Sequence, residues 1–389
     1  MKPFRLIIPL VALLSTAAPA QQLLLAGSED RTALYLNLDK AWNYNYYEHS
    51  RWGAGLRVAY RHSLALDGYL VYGTFDQQWK YGLALTECFN KTRQFAFYQR
   101  FEHDYFAIGS RRFDTPWDDV GSPLGGFLSS RMTVQNRLTL GFRWATSQAD
   151  WAVELVRQEA GRLFDDVSFL YLVQGHEITM NDIWYGRFLF RHASGLRLQA
   201  EIGPSLSMAR LLAQFKNTLQ FSHFTLKYMV QGGVSAPSSD YENMFDLGGT
   251  WGASLYIGDN LLTARPNEFT ANNFVLLSLR LQTHRPLFDF YSALFQLGSN
   301  PTPFVGINLA WGHSWHQDVY GQCLWQSMLI QTPYLGILEP SLGLDGIIRW
   351  GAVDWGAAFA YRIVPQSAPY HLESARENIT FLITAKLNI

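Results

Sequence analysis

The chain of 389 residues carries 31 Lys and Arg residues against 32 Asp and Glu residues, so it lacks the basic surplus typical of nucleic-acid-binding proteins. Charged residues make up 16% of the chain and aromatic residues 15%, whereas soluble proteins average roughly 25% charged residues. No segment after the N-terminus is apolar for long enough to span a membrane as a helix. The composition therefore disfavours a soluble protein and a helical membrane protein.

Residues 1–20 predict a cleavable secretory signal. Lys2 and Arg5 precede an apolar run, and the segment ends in small residues, Ala-Pro-Ala at 18–20. An uncleaved anchor is the alternative, but the apolar run is shorter than the ~20 residues of a spanning helix. Gln21 follows, rather than a cysteine, so no lipid anchor is expected.

Residues 21–50 are less regular and are predicted to form an N-terminal lead that holds an edge strand or a short plug. Residues 51–389 are predicted to form a single barrel domain, because no low-complexity linker divides them. Glycine-containing breaks such as 66–68 and 193–195 separate the strand-like segments.

The segments after residue 50 alternate between apolar and polar residues, which is the pattern of a strand with two different faces. The apolar positions, in chain order, are Leu56, Val58 and Tyr60; Leu138, Leu140, Phe142 and Trp144; Leu196, Leu198 and Ala200; Val275, Leu277, Leu279 and Leu281; Val353, Trp355, Ala357, Phe359 and Tyr361; and Ile379, Phe381, Ile383, Ala385 and Leu387.

This pattern predicts an all-β fold, a transmembrane antiparallel β-barrel of about 16 strands within a range of about 14–18. A soluble β-sandwich with one solvated face gives the same alternation. Here, however, the apolar faces are rich in aromatic residues, and the segments are too many for one small sandwich.

Charged residues lie between the apolar positions and are therefore predicted to line the lumen. A charge at the lipid midplane costs roughly 2–4 kcal/mol, so the apolar face is the one that meets lipid. The predicted lining residues are Arg57, Arg61, Arg197, Glu201, Arg280, Arg349 and Arg362.

The sequence predicts no catalytic site, metal site or cofactor, and the protein is not expected to be an enzyme. His103 and Asp104 are neighbours in sequence and would point to opposite faces of a strand, as would His313 and Ser314. His316 adds a second histidine near His313 without further ligands at a useful spacing. The two cysteines, 88 and 323, are far apart in the sequence; they are predicted to be unpaired, with a disulfide in an oxidising compartment as the alternative.

The stretch "FDLGGTWGASLYIGDNLLTARPNEF" at 245–269 is predicted to begin with a strand and to continue as an extracellular loop. If the last strand ends in the periplasm, counting strands backwards places this loop outside the cell, before the fifth strand from the end. The segment 284–302 is long for a periplasmic turn, and an additional strand there would reverse the assignment.

The glycine-paired "FDLGG" strand, followed by an arginine-bearing loop and five strands, resembles the bacterial surface antigen (BamA-type) barrels. The segments "YGTFDQQWKYGLALTECFN", "LLTARPNEF", "NLAWGHS" and "LEPSLGLDGIIRWG" are most similar to an uncharacterised outer-membrane family. That family carries a carboxypeptidase-regulatory-like domain ahead of a BamA-like barrel. Neither this domain nor a periplasmic POTRA-type domain is found in the present sequence.

In BamA-type barrels the sixth extracellular loop folds back into the lumen around an arginine. The resemblance implies that Arg265, with Pro266 and Glu268, forms a lumen-loop latch, for which Glu339, Asp345 and Asp354 are the candidate partners on the wall. The alternative is a solvated Arg265 paired with Glu268. The BamA-type loop has glycine after the arginine, where this chain has Pro266, and the final residue is Ile389, where an aromatic is commoner.

The expected function is the assembly, insertion or translocation of envelope components by an outer-membrane barrel. The expected partners are outer-membrane lipid and other envelope proteins, either periplasmic or lipoprotein subunits, and no nucleic acid. A passive pore for small solutes is the alternative, as is a structural subunit of an outer-membrane complex.

Overall fold

The computed structural model describes residues 22–28, 31–37, 40, 42–45, 48–61, 63–89, 94–107, 113, 132–160, 182–204, 209–236, 245–246, 270–283, 302–317, 323–324, 337–350, 353–362 and 379–387. From residue 282 onward, only strand bounds and backbone register are described. Among the described residues, no helix is long and apolar enough to cross a membrane.

The described residues contain twenty-one β-strands. They are β1 (Gln22–Gly27), β2 (Thr32–Asn37), β3 (Trp42–Asn45), β4 (His49–Tyr60), β5 (Leu64–Gly73), β6 (Trp79–Cys88), β7 (Phe95–Ala107), β8 (Met132–Ala145), β9 (Ala149–Ala160), β10 (Asp182–His192), β11 (Leu196–Ile202), β12 (Ala209–Gln220), β13 (Phe224–Ser235), β14 (Phe245–Asp246), β15 (Thr270–Ala271), β16 (Asn273–Thr283), β17 (Thr302–Gln317), β18 (Cys323–Leu324), β19 (Ile337–Trp350), β20 (Val353–Arg362) and β21 (Ile379–Leu387).

The long strands form one antiparallel sheet in which each strand pairs with the next in the chain, from β4 to β13 and on through β16, β17, β19, β20 and β21. At the N-terminal side, β2 pairs with the second half of β4 and β3 pairs with its first half. β2 and β3 therefore lie end to end along one edge of β4, and β1 pairs with β2. The predicted division into a lead and a barrel at residue 50 stays a prediction.

The connections alternate between two ends of the sheet. The turns 61–63, 146–148, 193–195 and 221–223 lie at one end, here called the short-turn end. The longer connections 108–131 and 161–181 lie at the opposite end, the long-loop end. Since β16 pairs directly with β17, the segment 284–301 joins them at the short-turn end and the loop 247–269 belongs to the long-loop end. Short turns face the periplasm in such barrels.

Side chains are sorted between the two faces of the sheet as the alternation predicts. Leu56, Val58 and Tyr60 are 47%, 40% and 44% exposed, although all three are apolar or aromatic. On the opposite face, charged residues such as Arg280 are buried. An exposed apolar face and a buried charged face are what a lipid environment outside and a polar lumen inside require. The predicted transmembrane antiparallel β-barrel is confirmed.

Candidate functional site: the inward face and the loop base

A buried ionic cluster lies on the inward face at the long-loop end of β4–β7. The Arg51 guanidinium donates to both carboxylate oxygens of Asp104 at 2.7 and 2.5 Å, and the Tyr69 hydroxyl donates to the same carboxylate at 2.7 Å. Glu48 lies 3.5 Å from Arg51 and 2.8 Å from the Lys80 ammonium. We call these five residues the Asp104 cluster; two parallel N–H···O bonds make its central pair both strong and directional.

The Asp104 cluster also fastens the turn between β5 and β6. Lys80, which is fully buried, pairs with Asp76 in this turn as well as with Glu48. The backbone N–H of Phe75 donates to the carbonyl of Glu48 at 3.0 Å. The turn and the start of β4 are therefore held together at the rim of the lumen.

A second set of charges forms a row across four strands, from the middle of β9 and β10 to the long-loop ends of β11 and β12. Glu154 on β9 lies opposite Arg187 on β10, Arg187 opposite Glu201 on β11, and Glu201 opposite Arg210 on β12. Glu154 and Arg187 form an ion pair, and Glu201 lies 3.8 Å from Arg210. We call this alternation of sign the transverse charge row; opposite charges facing each other across strands stabilise their pairing.

Tyr98 extends the transverse charge row by reaching over a glycine. Its hydroxyl donates to Glu154 at 2.5 Å, although Gly141 on β8 lies between the two strands. A Cβ at Gly141 would sit 2.2 Å from the Tyr98 ring, so only a residue without a side chain leaves room for this crossing.

The row ends at the base of the loop 247–269, where an aromatic side chain is buried against the wall. Phe245 on β14 is fully buried. The Arg210 guanidinium lies 4.4 Å from the centre of its ring, within the range of a cation–π interaction. Phe274 packs edge-on against Phe245 with ring centres 4.9 Å apart, and a Cβ at Gly233 would lie 2.7 Å from the Phe245 ring.

Both ends of the loop 247–269 meet at this point. Phe245 pairs with Ala271 in a two-residue ladder between β14 and β15. The backbone N–H and the hydroxyl of Ser235 both donate to the carbonyl of Asn272, at 2.7 and 3.1 Å. We call Phe245, Ala271 and their wall contacts the loop base.

The residues of the predicted latch and their candidate partners lie in other parts of the chain. Arg265, Pro266 and Glu268 lie outside the described residues. Their candidate partners are on strands whose backbone alone is described. Glu339 and Asp345 lie on β19, and Asp354 on β20 lies directly opposite Arg349 and Lys386. The arginine latch stays a prediction; among the described residues, Phe245 contacts Arg210 and Phe274 on the wall.

Most of the predicted lining residues lie on inward positions. Arg57 is 3.8 Å from Asp67 on β5. Arg197 lies opposite Arg191, on the inward face. Glu201 accepts a hydrogen bond from the Gln199 amide at 2.8 Å, and Arg280 is buried.

The other three predicted lining residues lie on C-terminal strands or in a turn. Arg349 and Arg362 lie on β19 and β20, where only the backbone is described. Arg61 lies in the turn after β4 rather than on a strand, with φ of 46° and its guanidinium over the Tyr60 ring at 5.2 Å. Because β4 ends at Tyr60, the alternation does not extend to Arg61, which lies at the short-turn rim.

Sequence reasoning missed the residues that build the clusters, namely Arg51, Asp104, Glu154 and Arg187. The alternation contains a signal for them: Phe95, Phe97 and Phe101 set the outward phase of β7, and Asp104 has the opposite phase. Phase alone does not show that Arg51 and Asp104 meet, because 53 residues separate them.

The described part of the chain contains no group of three or more His, Cys, Asp or Glu side chains placed to hold a metal ion. Cys88 is a free thiol at the short-turn end of β6.

No family model matches the chain, and no curated protein matches it. Among solved structures, BamA from Haemophilus ducreyi lacking POTRA domains 1–3 superposes with a TM-score of 0.53 at 9% identity, over 96% of this chain and 76% of that chain. CdiB from Acinetobacter baumannii is less similar, with a TM-score of 0.44 at 9% identity, over 91% of this chain and 56% of that chain.

The BamA superposition covers nearly the whole chain, and it agrees with the outward sorting of apolar side chains and the inward sorting of charged ones. At 9% identity this likeness concerns the fold alone. The chain therefore has the fold of a BamA-like outer-membrane β-barrel.

Proposed function

We propose that this outer-membrane barrel helps to insert, assemble or translocate envelope components together with partner proteins. The observation that supports the proposal most directly is the loop base. Phe245 is buried on the lumen wall, and five long strands, β16, β17, β19, β20 and β21, follow it. A short strand held on the lumen wall, with five strands after it, agrees with the resemblance of this stretch to BamA-type barrels.

The wall around the loop base supports the same function. Arg210 contacts both Phe245 and Glu201, so a displacement of the loop would expose a ring and disturb the transverse charge row. Burying a phenylalanine contributes roughly 1.5–3 kcal/mol. That is enough to hold β14 against the wall and small enough for a bound substrate or partner to displace it.

The first experiment compares strains with and without the protein. Loss of the protein should lower the amounts of other outer-membrane barrels or surface lipoproteins, measured by quantitative mass spectrometry of outer membranes. Complementation with a Phe245→Ala variant should fail, whereas Phe221→Ala should complement, because Phe221 is an exposed ring at the short-turn end. Normal barrel and lipoprotein levels in the deletion strain would refute the proposal.

The proposed partners are periplasmic or lipoprotein subunits that recognise the cargo. Affinity purification in mild detergent should therefore recover at least one such subunit in stoichiometric amount. Recovery of the barrel alone, with membrane lipid only, would shift the assignment to the pore described next.

A passive pore for small solutes is the second candidate, and the mixed-charge inward face favours it. Arg57, Arg197 and Arg280 share that face with Asp67 and Glu201. Rings of charged side chains are what give aqueous pores their ion selectivity. Steady open channels in planar bilayers would support a pore, whereas a barely conducting barrel would support the assembly function.

A further inference from the structure

A row of polar side chains faces outward, toward the membrane, at the long-loop end of β7–β10. His103 lies opposite Asn136, Asn136 opposite Glu159, and Glu159 opposite Asp182. Each has the same phase as an exposed apolar neighbour on its strand, such as Phe101 on β7. We call these four residues, with Arg157, the outer polar row.

Hydrogen bonds join the outer polar row in two groups. His103 Nδ1 donates to Asn136 Oδ1 at 2.7 Å, and Asn136 Nδ2 donates to Glu159 Oε2 at 3.3 Å. Arg157 donates two hydrogen bonds to the Asp182 carboxylate, at 3.0 and 2.7 Å. The Arg157 and Asp182 side chains remain 44% and 49% exposed.

A second row, made entirely of aromatic residues, indicates how deep in the membrane the outer polar row lies. Phe95, Trp144, Trp151 and Phe190 lie opposite one another on the outward face of the same strands, at the short-turn end. On each strand the aromatic residue and its polar counterpart are eight residues apart, 95 to 103 on β7 and 144 to 136 on β8.

Eight residues of strand span about 26 Å, which the usual tilt of 35–45° reduces to roughly 20 Å along the membrane normal. The lipid-facing apolar band of such barrels is about 25 Å tall and is bounded by aromatic residues. With the aromatic row at the periplasmic boundary, the outer polar row lies at the opposite boundary, among the headgroups of the outer leaflet.

Two aromatic rings flank the outer polar row. Tyr81 stacks on the His103 ring with centres 5.3 Å apart, and the Trp184 ring centre lies 6.0 Å from the Arg157 guanidinium. Both rings are exposed. Aromatic rings of this kind combine an apolar body with a polar edge and settle where membrane meets water.

The charges of the row select the chemistry of its ligand. Glu159 and Asp182 contribute two carboxylates, whereas Arg157 contributes one permanent positive charge, so the row repels a bare phosphate. Imidazole, carboxamide, carboxylate and guanidinium groups together offer both donors and acceptors. This combination suits a ligand rich in hydroxyl groups that presents flat faces to the flanking rings.

We propose that the outer polar row binds the saccharide headgroup of a glycolipid in the outer leaflet. The headgroup hydroxyls contact Asn136, Glu159 and Arg157, while the acyl chains lie on the apolar band below. This site lies on the lipid-facing surface, separate from the loop base and the lumen.

The test is lipid retention by the purified full-length barrel. The protein is reconstituted with equal amounts of a neutral monoglycosyl diacylglycerol and the same diacylglycerol without its sugar, re-extracted in mild detergent, and its bound lipids are counted by native mass spectrometry. We expect about fivefold or greater preference for the glycolipid, and loss of that preference in Asn136→Leu and Glu159→Leu. Gln99→Leu is the matched control, since Gln99 faces outward on β7 within the apolar band.

Folding of each variant is checked by the heat-dependent mobility of the barrel in gel electrophoresis, and a variant that fails to fold is replaced by Asn136→Ser. Equal retention of the two lipids by the wild type would overturn the proposal, as would an unchanged preference in both folded row variants. Competition by the free sugar at low concentration would also overturn it, because the site would then recognise a soluble sugar rather than a lipid.

Discussion

At the scale of single residues, the stability of the described wall depends on buried charges that are fully paired. The Arg51 and Asp104 side chains are each only 10% exposed, and their two hydrogen bonds leave neither charge alone. Removing one partner from a buried pair leaves an uncompensated charge, which costs more than the pair contributed.

We therefore expect Asp104→Asn to lower the free energy of unfolding by about 3–5 kcal/mol. The substitution keeps the shape of the side chain and removes the charge that Arg51 requires. Urea unfolding in phospholipid vesicles, followed by tryptophan fluorescence, measures the change.

Asp67→Asn is the matched control for this measurement, because Asp67 lies 3.8 Å from Arg57 and both side chains are about 30% exposed. A half-exposed pair of this kind contributes less than about 1 kcal/mol. Equal losses in the two variants would show that burial does not determine the strength of these pairs.

Gly141 is a position where one added carbon atom should change the stability of the barrel. Gly141→Ala should push Tyr98 away from Glu154 and destabilise the barrel by about 1–3 kcal/mol, since the new Cβ would lie 2.2 Å from the ring. Gly186→Ala is the control, because the nearest atom to its Cβ is 3.9 Å away. The same unfolding measurement applies, and an undisturbed Gly141→Ala barrel would contradict the crossing of Tyr98 over β8.

At the scale of strands, the alternation of residue types was a reliable guide to the faces and a poor guide to strand ends. It predicts correctly that Leu56 and Val58 lie on the exposed apolar face, and Arg57 lies near Asp67 on the other face. It fails at Arg61 because polarity does not show where backbone pairing stops; the positive φ at that residue begins the turn. Period-two patterns report orientation and carry no information on termination.

The loop base makes a prediction at this scale. Phe245→Ala removes a fully buried ring, which costs about 3–5 kcal/mol and weakens the attachment of β14 to the wall, so protease should reach the chain that follows it more readily. Chymotrypsin added to reconstituted vesicles should then cleave the loop at Trp251 or Tyr256 at least tenfold faster than in the wild type. Phe221→Ala should leave the rate unchanged; equal rates in all three proteins would mean that Phe245 does not hold the loop.

At the scale of the whole molecule, the order of strands sets the orientation. Ser222 lies in the turn between β12 and β13 at the short-turn end, and Phe75 lies in the turn at the opposite end. In a background with Cys88 and Cys323 changed to serine, Phe75→Cys should react with a membrane-impermeant thiol reagent on intact cells. Ser222→Cys should react only after the outer membrane is permeabilised. The reverse result would show that the barrel has the opposite orientation in the membrane.

The fold was therefore readable from the sequence, whereas the sites were not. The repeated alternation of apolar and charged positions predicts a barrel, because every strand must present one face to lipid and the other to the lumen. Contacts such as Arg51 with Asp104, or Phe245 with Arg210, join strands far apart in sequence and depend on register. One sequence does not specify register, so the loop base and the outer polar row emerge only from the assembled sheet.

The constant spacing between the aromatic row and the outer polar row has a consequence for the surrounding bilayer. A lipid-facing band of roughly 20 Å is thinner than the band of about 25 Å in such barrels, so hydrophobic mismatch is expected along β7–β10. Neighbouring acyl chains must compress or tilt on that side of the barrel. Lipid with short chains should consequently gather there, and the protein should fold faster into vesicles of ten- or twelve-carbon chains than into those of eighteen.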